Sequence, residues 1–227
     1  MVTRLYFPGT EPSAVNPAFD AGWEDNTEGV RRRLEDVKGA DAIAAGSTIT
    51  LLEDVVRDEL DRQYVSDPMD AGNVFTSAVT TVQMQLMVRE FAVTDNVDRG
   101  ILGVRIVSED GLTVRATLLA VANYGPTLEF INNATMRNKT FADGDTVTAT
   151  YTTVAGDRIV VEVGYSSSVA NATPQAAAKY GQNAADLPVN ETQTADGAGW
   201  IEFSNDIIFE APSEVTQQIQ WIQDDMG

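Results

Sequence analysis

The most regular pattern in the chain is the alternation of apolar and polar residues that follows a turn at Gly156-Asp157. One set of alternate positions comprises Ile159, Val161, Val163 and Tyr165. The opposite set comprises Arg158, Val160, Glu162 and Gly164. A two-residue period over this length is typical of a β-strand, and β-branched residues on the apolar side fit a pleated surface. The pattern therefore predicts a central strand with one buried face.

Similar patterns, separated by turn residues, recur along most of the chain. They predict further strands in the ranges 47–52, 62–68, 76–91, 104–107, 112–119, 128–131, 146–152 and 200–209. Asp110-Gly111 marks a hairpin, and the strand at 146–152 is expected to pair with the strand at 158–165. Residues 29–38 and 53–62 fit either a strand or a short helix. About eight to ten short strands with turns between them predict an all-β, antiparallel β-sandwich of jelly-roll-like type.

Two terminal segments fall outside the strand pattern. Residues 1–28 contain several prolines and glycines among apolar and aromatic residues, so we expect an extended arm that lies across the surface of its own chain or of a neighbour. Its candidate interface residues are Tyr6, Phe7, Phe19 and Trp23. The sandwich domain is expected at 29–210. Residues 166–199 form a long irregular stretch, which predicts a functional or contact-making loop.

The last segment, 211–227, has helical periodicity. Ser213 is a candidate N-cap, and apolar residues follow at spacings of four, three and four residues. This predicts a C-terminal amphipathic helix, which is too short to be stable alone in water. Docking on its own sandwich and docking on another subunit both remain open. Its candidate interface residues are Val215, Ile219, Trp221 and Ile222.

A basic cluster at Arg31, Arg32 and Arg33 has two interpretations. It is either a patch that docks an acidic neighbour, including a second copy of this chain, or a solvated face balanced by Glu35 and Asp36. The chain as a whole has 15 basic and 34 acidic residues and a net charge of −19. Such a charge argues against binding to nucleic acid or to anionic membranes.

Composition also limits the chemistry. The chain has no cysteine and no histidine, which excludes disulfides, thiol chemistry and Ser-His-Asp or Cys-His triads. Glu162 and Glu202 form an imaginable carboxylate pair, and Asp143, Asp145 and Asp157 an imaginable calcium site. With so many acidic residues these groupings arise by chance. We therefore predict no enzymatic activity, no cofactor and no metal.

Aromatic residues provide a further candidate, a sugar-binding platform. Its members are Tyr64, Trp23, Tyr124, Tyr165, Tyr180 and Trp200. Packing in the core or at an interface is the expected use of most of them. The N-terminus has no run of apolar residues typical of a signal peptide, and no window resembles a spanning helix, which predicts synthesis in a cytoplasm.

Several stretches of the chain resemble small virion proteins of tailed bacteriophages of marine and freshwater type. The similar stretches are Arg4-Leu5-Tyr6-Phe7-Pro8, Pro17-Ala18-Phe19-Asp20-Ala21-Gly22-Trp23, Arg62-Gln63-Tyr64-Val65-Ser66-Asp67-Pro68, Gly156 to Tyr165, Asp186-Leu187-Pro188, Glu191-Thr192 and Trp200-Ile201-Glu202-Phe203-Ser204. The segment after Phe209 lies outside the resemblance. The family implies a non-enzymatic structural component of the virion, made in the host bacterial cytoplasm.

Within the virion, the arm, the terminal helix and the acidic composition favour an outer capsid decoration or cement protein. The expected partners are other virion proteins, foremost the major capsid protein, and further copies of the chain, with a trimer as a candidate assembly. A tail or neck fibre or adaptor subunit is the alternative within the same class. A jelly-roll carbohydrate-binding module that recognises a host glycan is the alternative from another class.

Overall fold

The computed structural model describes residues 2–27, 29–45, 49–50, 57–92, 95–130, 136–167, 175–194 and 196–211. Every regular element in these ranges is a β-strand, which confirms the predicted all-β class for the described part of the chain. The strands are β1 (Thr3–Tyr6), β2 (Val30–Leu34), β3 (Ala44–Ala45), β4 (Ile49–Thr50), β5 (Glu59–Ser66), β6 (Val74–Phe75), β7 (Thr81–Glu90), β8 (Val97–Val107), β9 (Val114–Ala122), β10 (Met136–Thr146), β11 (Tyr151–Thr152), β12 (Arg158–Ser167), β13 (Gln175–Tyr180), β14 (Gln193–Thr194) and β15 (Trp200–Phe203).

The strands form two large sheets and one small one. The first sheet has the order β1-β15-β7-β10-β14, and β13 pairs with the other half of β7 as well as with β3 and β4. The second sheet has the order β2-β5-β12-β8-β9, and β6 pairs with β11 in the small sheet. The pairings are antiparallel except that of β2 with β5, which is parallel. The predicted antiparallel arrangement therefore holds for the other strand pairs of the described residues and fails only at this edge, where the long connection 35–58 permits a crossover.

The two large sheets share one hydrophobic core. Alternate residues of β7 and β12 point into it, as their patterns predict, and so do those of β8. The buried side chains from these strands are Val82, Met84, Leu86, Val88, Leu102, Val104, Ile106, Ile159, Val161, Val163 and Tyr165. These side chains form a single cluster that joins strands of both sheets, so the sheets pack face to face.

The expectation of only one buried face on β12 is wrong. All ten residues of β12 are buried, including Glu162 at 1% exposure. Gly164 shows how closely the second face is covered, because a Cβ there would lie 1.9 Å from the carbonyl oxygen of Glu59 and 2.6 Å from the Trp23 ring. The strand is buried on both sides because the N-terminal segment lies over its outer face.

Other sequence-based boundaries also change. The ambiguous range 29–38 contains the strand β2, and β8 begins at Val97, earlier than predicted. The range 146–152 does not form one strand beside β12, since Thr146 ends β10 and β11 pairs with β6. Residues 128–130 are not a strand, and β15 covers only the start of 200–209.

The short strands β1, β3, β6 and β14 were not predicted, and among the strands of six or more residues β10 and β13 were missed. β10 has a polar sequence with two bulges, and β13 is rich in alanine. Neither shows the apolar alternation on which the strand predictions depend. The predicted C-terminal helix at 211–227 lies outside the described residues, except for Ala211. No helix in the described ranges is long and apolar enough to span a membrane.

Replacing Gly164 by Ala tests the close cover over β12. The added methyl group meets backbone and an indole ring, so we expect a loss of about 3 kcal/mol or more in the free energy of unfolding. The control is Gly144→Ala, where φ is +79° but nothing lies within 4 Å of the added carbon, and we expect a loss of about 1 kcal/mol. Urea denaturation measures both, and equal losses would contradict the described packing.

Candidate functional site

The N-terminal arm, residues 7–27, runs across the outer face of the second sheet. It starts from β1, which pairs with β15 in the first sheet, and it ends at β2 in the second sheet. Trp23 packs with Leu60 and Ile101, and Val15 packs against a second apolar cluster that contains Val160. Of the two surfaces that the sequence left open, the structure therefore places the arm on its own chain.

Glu162 is the polar centre of this contact. Its carboxylate accepts hydrogen bonds from Trp23 Nε1 (2.8 Å), from Gln63 Nε2 (2.7 Å) and from Arg105 Nη2 (2.7 Å). The backbone N–H of Asp20 also donates to it, at 3.1 Å. Two of these donors belong to the arm and two to the sheet. One carboxylate therefore fastens the arm to β5, β8 and β12.

The arginine cluster on β2 reinforces the same contact. Arg31 donates to the carbonyl oxygen of Pro17 at 3.1 Å and lies 3.9 Å from the centre of the Phe19 ring. Arg32 donates to the carbonyl oxygen of Gly9 at 3.0 Å. Burial lowers the pKa of Arg31. These two arginines hold the arm of their own chain, which neither interpretation of the sequence foresaw.

Arg33 differs from its neighbours. It forms ion pairs with Asp67 (2.5 Å) and with Glu35 (3.9 Å), and its side chain is 42% exposed. The pairing with Glu35 matches the predicted charge balance. Docking of the cluster on an acidic neighbour stays a prediction.

The other candidate interface residues of the arm have contacts inside the chain. Phe7 and Trp23 are buried at 0% and 5% exposure, while Tyr6 and Phe19 are half-buried. The hydroxyl of Tyr6 donates to Asp186 at 3.1 Å. The interface role of these residues stays a prediction. The candidates on the terminal segment, Val215, Ile219, Trp221 and Ile222, lie outside the described residues.

A second cover lies on the first sheet. Residues 181–192 and 196–199, from the long irregular stretch, fold over its outer face, where Leu187 packs with Trp200, Met87 and Met136. Trp200 Nε1 donates to the carbonyl oxygen of Leu187 at 2.8 Å. Arg4 lies 4.0 Å from the Trp200 ring centre. The described part of the predicted contact-making loop thus contacts its own sheet.

Buried polar pairs fasten this second cover as well. Glu191 accepts from the backbone N–H of Thr140 at 2.5 Å and lies 3.4 Å from Nζ of Lys139. Lys139 is fully buried and also donates to the carbonyl oxygen of Pro126. Desolvation lowers the pKa of Lys139. As at Glu162, one carboxylate joins a loop to the sheet, although Glu191 is partly exposed and its strand partners lie on β10 alone.

A further carboxyl, that of Asp61, lies in the core between the sheets. A bulge in β5 opposite Val163 and Gly164 turns Asp61 inward. It accepts hydrogen bonds from the hydroxyls of Tyr165 (2.7 Å) and Tyr180 (2.6 Å). Complete burial raises the pKa of Asp61. The bulge explains how an acidic residue in an alternating strand meets two core tyrosines.

The candidate sugar platform does not exist as a surface. Five of its six members are buried, and the sixth, Tyr124, is partly buried against the core. The buried members are Trp23, Tyr64, Tyr165, Tyr180 and Trp200. The expectation that these residues serve packing is confirmed, and the platform interpretation is wrong.

The candidate carboxylate groupings are also separated. Glu162 lies on β12 in the second sheet, whereas Glu202 lies on β15 in the first sheet and pairs with Arg4 at 2.8 Å. Asp157, in the turn before β12, accepts from the hydroxyl of Tyr151 at 2.6 Å, whereas Asp143 lies on β10. Within the described ranges, no three Asp or Glu side chains are grouped so that they could hold a metal ion.

The sequence did not predict an open cleft of about 550 Å³ at one end of the second sheet. The cleft lies between the turn that joins β8 to β9 and the turn before β12. It is lined by Val15, Ser108, Glu109, Asp110, Thr113, Arg115, Ala155, Asp157 and Arg158. Arg115 Nε is 3.5 Å from Asp157 Oδ1. Both turns were evident as Asp110-Gly111 and Gly156-Asp157, but only the pairing of β8 with β12 brings them together.

Comparison with known proteins does not assign the chain to a family. No family model and no curated protein matches the chain. Among solved structures, a chain from the structure of infectious bursal disease virus, Gt strain, is similar with 16% identity and a TM-score of 0.28. The match covers 79% of this chain and 42% of that chain, so this chain spans less than half of its length. A TM-score this low does not establish a shared fold, and the resemblance to tailed-phage proteins stays a prediction.

Replacing Glu162 by Gln tests the role of its carboxylate. The change leaves the buried Arg105 with only its longer ion pair to Asp20, at 3.8 Å, so we expect a loss of about 3 kcal/mol in the free energy of unfolding. We also expect faster proteolysis between residues 8 and 27. The control is Glu202→Gln, whose partly exposed pair with Arg4 should cost less than about 1 kcal/mol. An unchanged rate of arm cleavage in the Glu162 variant would contradict the assignment.

A pH effect is expected from Glu90 at the end of β7. Its side chain is 2% exposed, and desolvation, helped by Glu129 and Asp95, raises its pKa from 4.5 to about 7. Between these values the unfolded chain releases the proton and the folded chain keeps it. The free energy of unfolding should therefore fall by roughly 2–3 kcal/mol as the pH rises from 4.5 to 7.

Denaturation at a series of pH values measures this effect. Glu90→Gln should reduce the fall by roughly 2–3 kcal/mol, because the amide does not titrate, while Asp61, whose pKa burial also raises, keeps its own contribution. Glu129→Gln should reduce the fall by less, since one neighbouring charge is lost while the desolvation of Glu90 remains. The assignment fails if Glu90→Gln keeps the slope of the unmodified protein.

Proposed function

We propose that the protein is a non-enzymatic structural component of a virus particle, and specifically a jelly-roll decoration or cement protein on the outside of a tailed-phage capsid. The observation that carries this proposal is the order of the strands in the two large sheets. The same proposal implies where the protein is found: the chain is made in the bacterial cytoplasm and then resides in the virion.

The strand order supports a jelly roll. One sheet contains β1-β15-β7-β10 and the other contains β5-β12-β8-β9. Along the chain the main strands alternate between the sheets: β5 lies in the second, β7 in the first, β8 in the second, β10 in the first and β12 in the second. The hairpin of β8 and β9 is the exception. Two four-stranded sheets connected in this manner are the jelly-roll pattern found in viral capsid and lectin domains.

The distribution of polar groups supports a structural role. The most deeply buried ion pairs, those of Glu162 and Lys139, attach covers to the outer faces of the two sheets. These ion pairs stabilise the fold. A sandwich covered on both faces presents its edges, turns and ends to partners, and its net charge of −19 suits a partner with a basic surface.

A decoration protein gains affinity by binding many equivalent sites on one particle. Symmetric shells repeat the same junction, so a small contact becomes effective through multivalency. The proposed partners are the major capsid protein and further copies of this chain, with a trimer as the candidate assembly. A tail or neck fibre or adaptor subunit is the alternative placement, and it uses the same sandwich.

One observation favours a function from another class. The cleft at Arg115 and Asp157 combines hydrogen-bond donors, acceptors and the apolar wall of Val15 in about 550 Å³, which suits a hydroxylated ligand such as a sugar of a host glycan. A glycan array separates the two functions. A cement protein should show no signal, whereas signal that disappears in the variant Arg115→Ala would favour a carbohydrate-binding module.

Binding to preformed phage capsids tests the main proposal. Purified protein should co-sediment with capsids up to a fixed number of copies per particle, and bound protein should raise the temperature at which the shells open. An acidic protein of similar size serves as the control for nonspecific association. Binding to isolated tails instead would favour the alternative placement. Co-sedimentation no greater than that of the control would refute the capsid proposal.

A further inference from the structure

The chain contains three Asp-Gly dipeptides, at 110–111, 143–144 and 196–197. In such a pair the backbone nitrogen of the glycine can attack the side-chain carboxyl group of the aspartate, because glycine has no Cβ to hinder the approach. The attack needs a carboxyl group that is free to turn towards the backbone and a glycine that is free to move. These two requirements separate the three pairs.

Asp110-Gly111 meets neither requirement. Asp110 Oδ1 accepts hydrogen bonds from the hydroxyl of Ser108 (2.6 Å) and from the backbone N–H of Leu112 (3.0 Å), and these donors lower the pKa of Asp110. The backbone N–H of Gly111 donates to the carbonyl oxygen of Ser108 at 2.8 Å. Gly111 is also buried, and a Cβ there would lie 3.1 Å from the ring of Pro17 in the arm. The carboxylate therefore stays ionised and the nitrogen is held in place.

Asp196-Gly197 is restrained in a similar way. The carboxylate of Asp196 pairs with Nζ of Lys179 at 2.6 Å. Gly197 is buried, and a Cβ there would collide with the side chain of Leu187. Ring closure at this pair would break the ion contact and displace a glycine that is packed within the second cover.

Asp143-Gly144 lies in more open surroundings. Both residues are exposed, and nothing lies within 4 Å of a Cβ at Gly144. Asp143 Oδ1 accepts from Gln83 Nε2, a neutral donor, at 3.2 Å. Gly144 is the extra residue of a bulge between Asp143 and Asp145, so it has no partner residue on β7. Turning the Asp143 carboxyl group breaks one longer hydrogen bond and displaces nothing that is packed against Gly144.

We propose that Asp143-Gly144 is a self-modification site, at which the aspartate converts to isoaspartate. The nitrogen of Gly144 forms a bond to Cγ of Asp143, and its proton leaves with the carboxyl OH as water, which gives a succinimide ring. Water then opens the ring. Opening at the side-chain carbonyl restores the aspartate, and opening at the main-chain carbonyl gives isoaspartate. One water is released and one is taken up, so no other reactant is needed.

The product changes the main chain at this end of β10. Isoaspartate adds one methylene group to the backbone between Asp143 and Gly144, where Asp143 pairs with Gln83 and Asp145 pairs with Val82. We expect the longer backbone to disturb the pairing of β10 with β7 at this end, while the pairing further along the two strands remains. This inference does not depend on the proposed function.

Peptide mapping of the full-length protein tests the proposal. The folded protein is incubated at neutral pH in water enriched in oxygen-18, which labels each ring opening, and isoaspartate is identified by electron-transfer fragmentation. We expect at least about fivefold more isoaspartate at Asp143 than at Asp110 or Asp196, because the restraints on the latter two are released only by local or global unfolding. In urea that unfolds the chain, the three yields should become similar.

Two results would overturn the proposal. Comparable yields at the three positions in the folded protein would show that the observed contacts do not control the reaction. The same excess at Asp143 in urea would assign the preference to the local sequence instead of the fold.

Conservative variants test the chemistry without changing charge. Asp143→Glu cannot form the five-membered ring with the nitrogen of Gly144, so the oxygen-18 label at this position should disappear. Asp110→Glu is the matched control and should leave the yield at Asp143 unchanged. Label that persists at position 143 in the first variant would contradict the proposed ring closure.

The restraint at Asp110 has its own test. Ser108→Ala removes the hydroxyl donor from Asp110, so the yield of isoaspartate at Asp110 should rise while that at Asp143 stays the same. An unchanged yield at Asp110 would show that a held carboxylate does not protect this pair, and the selection of Asp143 would lose its basis.

Discussion

The carboxylate of Glu162 is the interaction on which the arrangement of this chain depends. A charge buried to this degree is costly unless it is paired and fully hydrogen-bonded, and Arg105, Trp23 and Gln63 supply those bonds. The arm stabilises the sheet that it covers. Without the arm, Val160 on the outer face of β12 would be exposed, and Glu162 would lose two hydrogen-bond donors. Folding of the sandwich and docking of the arm are therefore coupled.

The same solution appears on both sides of the molecule. A segment without regular structure lies over each sheet, and a carboxylate, the buried Glu162 or the partly buried Glu191, joins it to the strands. These covers leave the turns and the cleft at Arg115 as surfaces for other molecules. For a protein proposed to sit on a symmetric particle, contacts at such edges repeat at every equivalent position.

The alternation of apolar and polar residues within single strands correctly predicted which side chains of β7 and β12 face the core, because one row of side chains in each strand packs against it. It missed the burial of Glu162 and Gly164, since a cover from a distant part of the chain has no local trace. It also missed β10 and β13, whose polar or alanine-rich sequences are strands only because β7 lies between them. Arg31 and Arg32 were recognised as a cluster, but their partners are backbone carbonyls of the arm, which sequence patterns do not specify. The prediction of a sugar-binding platform was wrong because the sequence alone does not show that most of these aromatic residues are buried.

The attachment of the arm is the central claim, and the exchange rate of one proton tests it directly. The indole N–H of Trp23 donates to Glu162 at 2.8 Å in a site that is 5% exposed, so its hydrogen exchange, followed by NMR with Trp23→Phe for assignment, should be slow and should approach the rate set by global unfolding. Exchange as fast as that of an indole in an unstructured peptide would show that the arm is not fastened to the sheet, and would contradict the account.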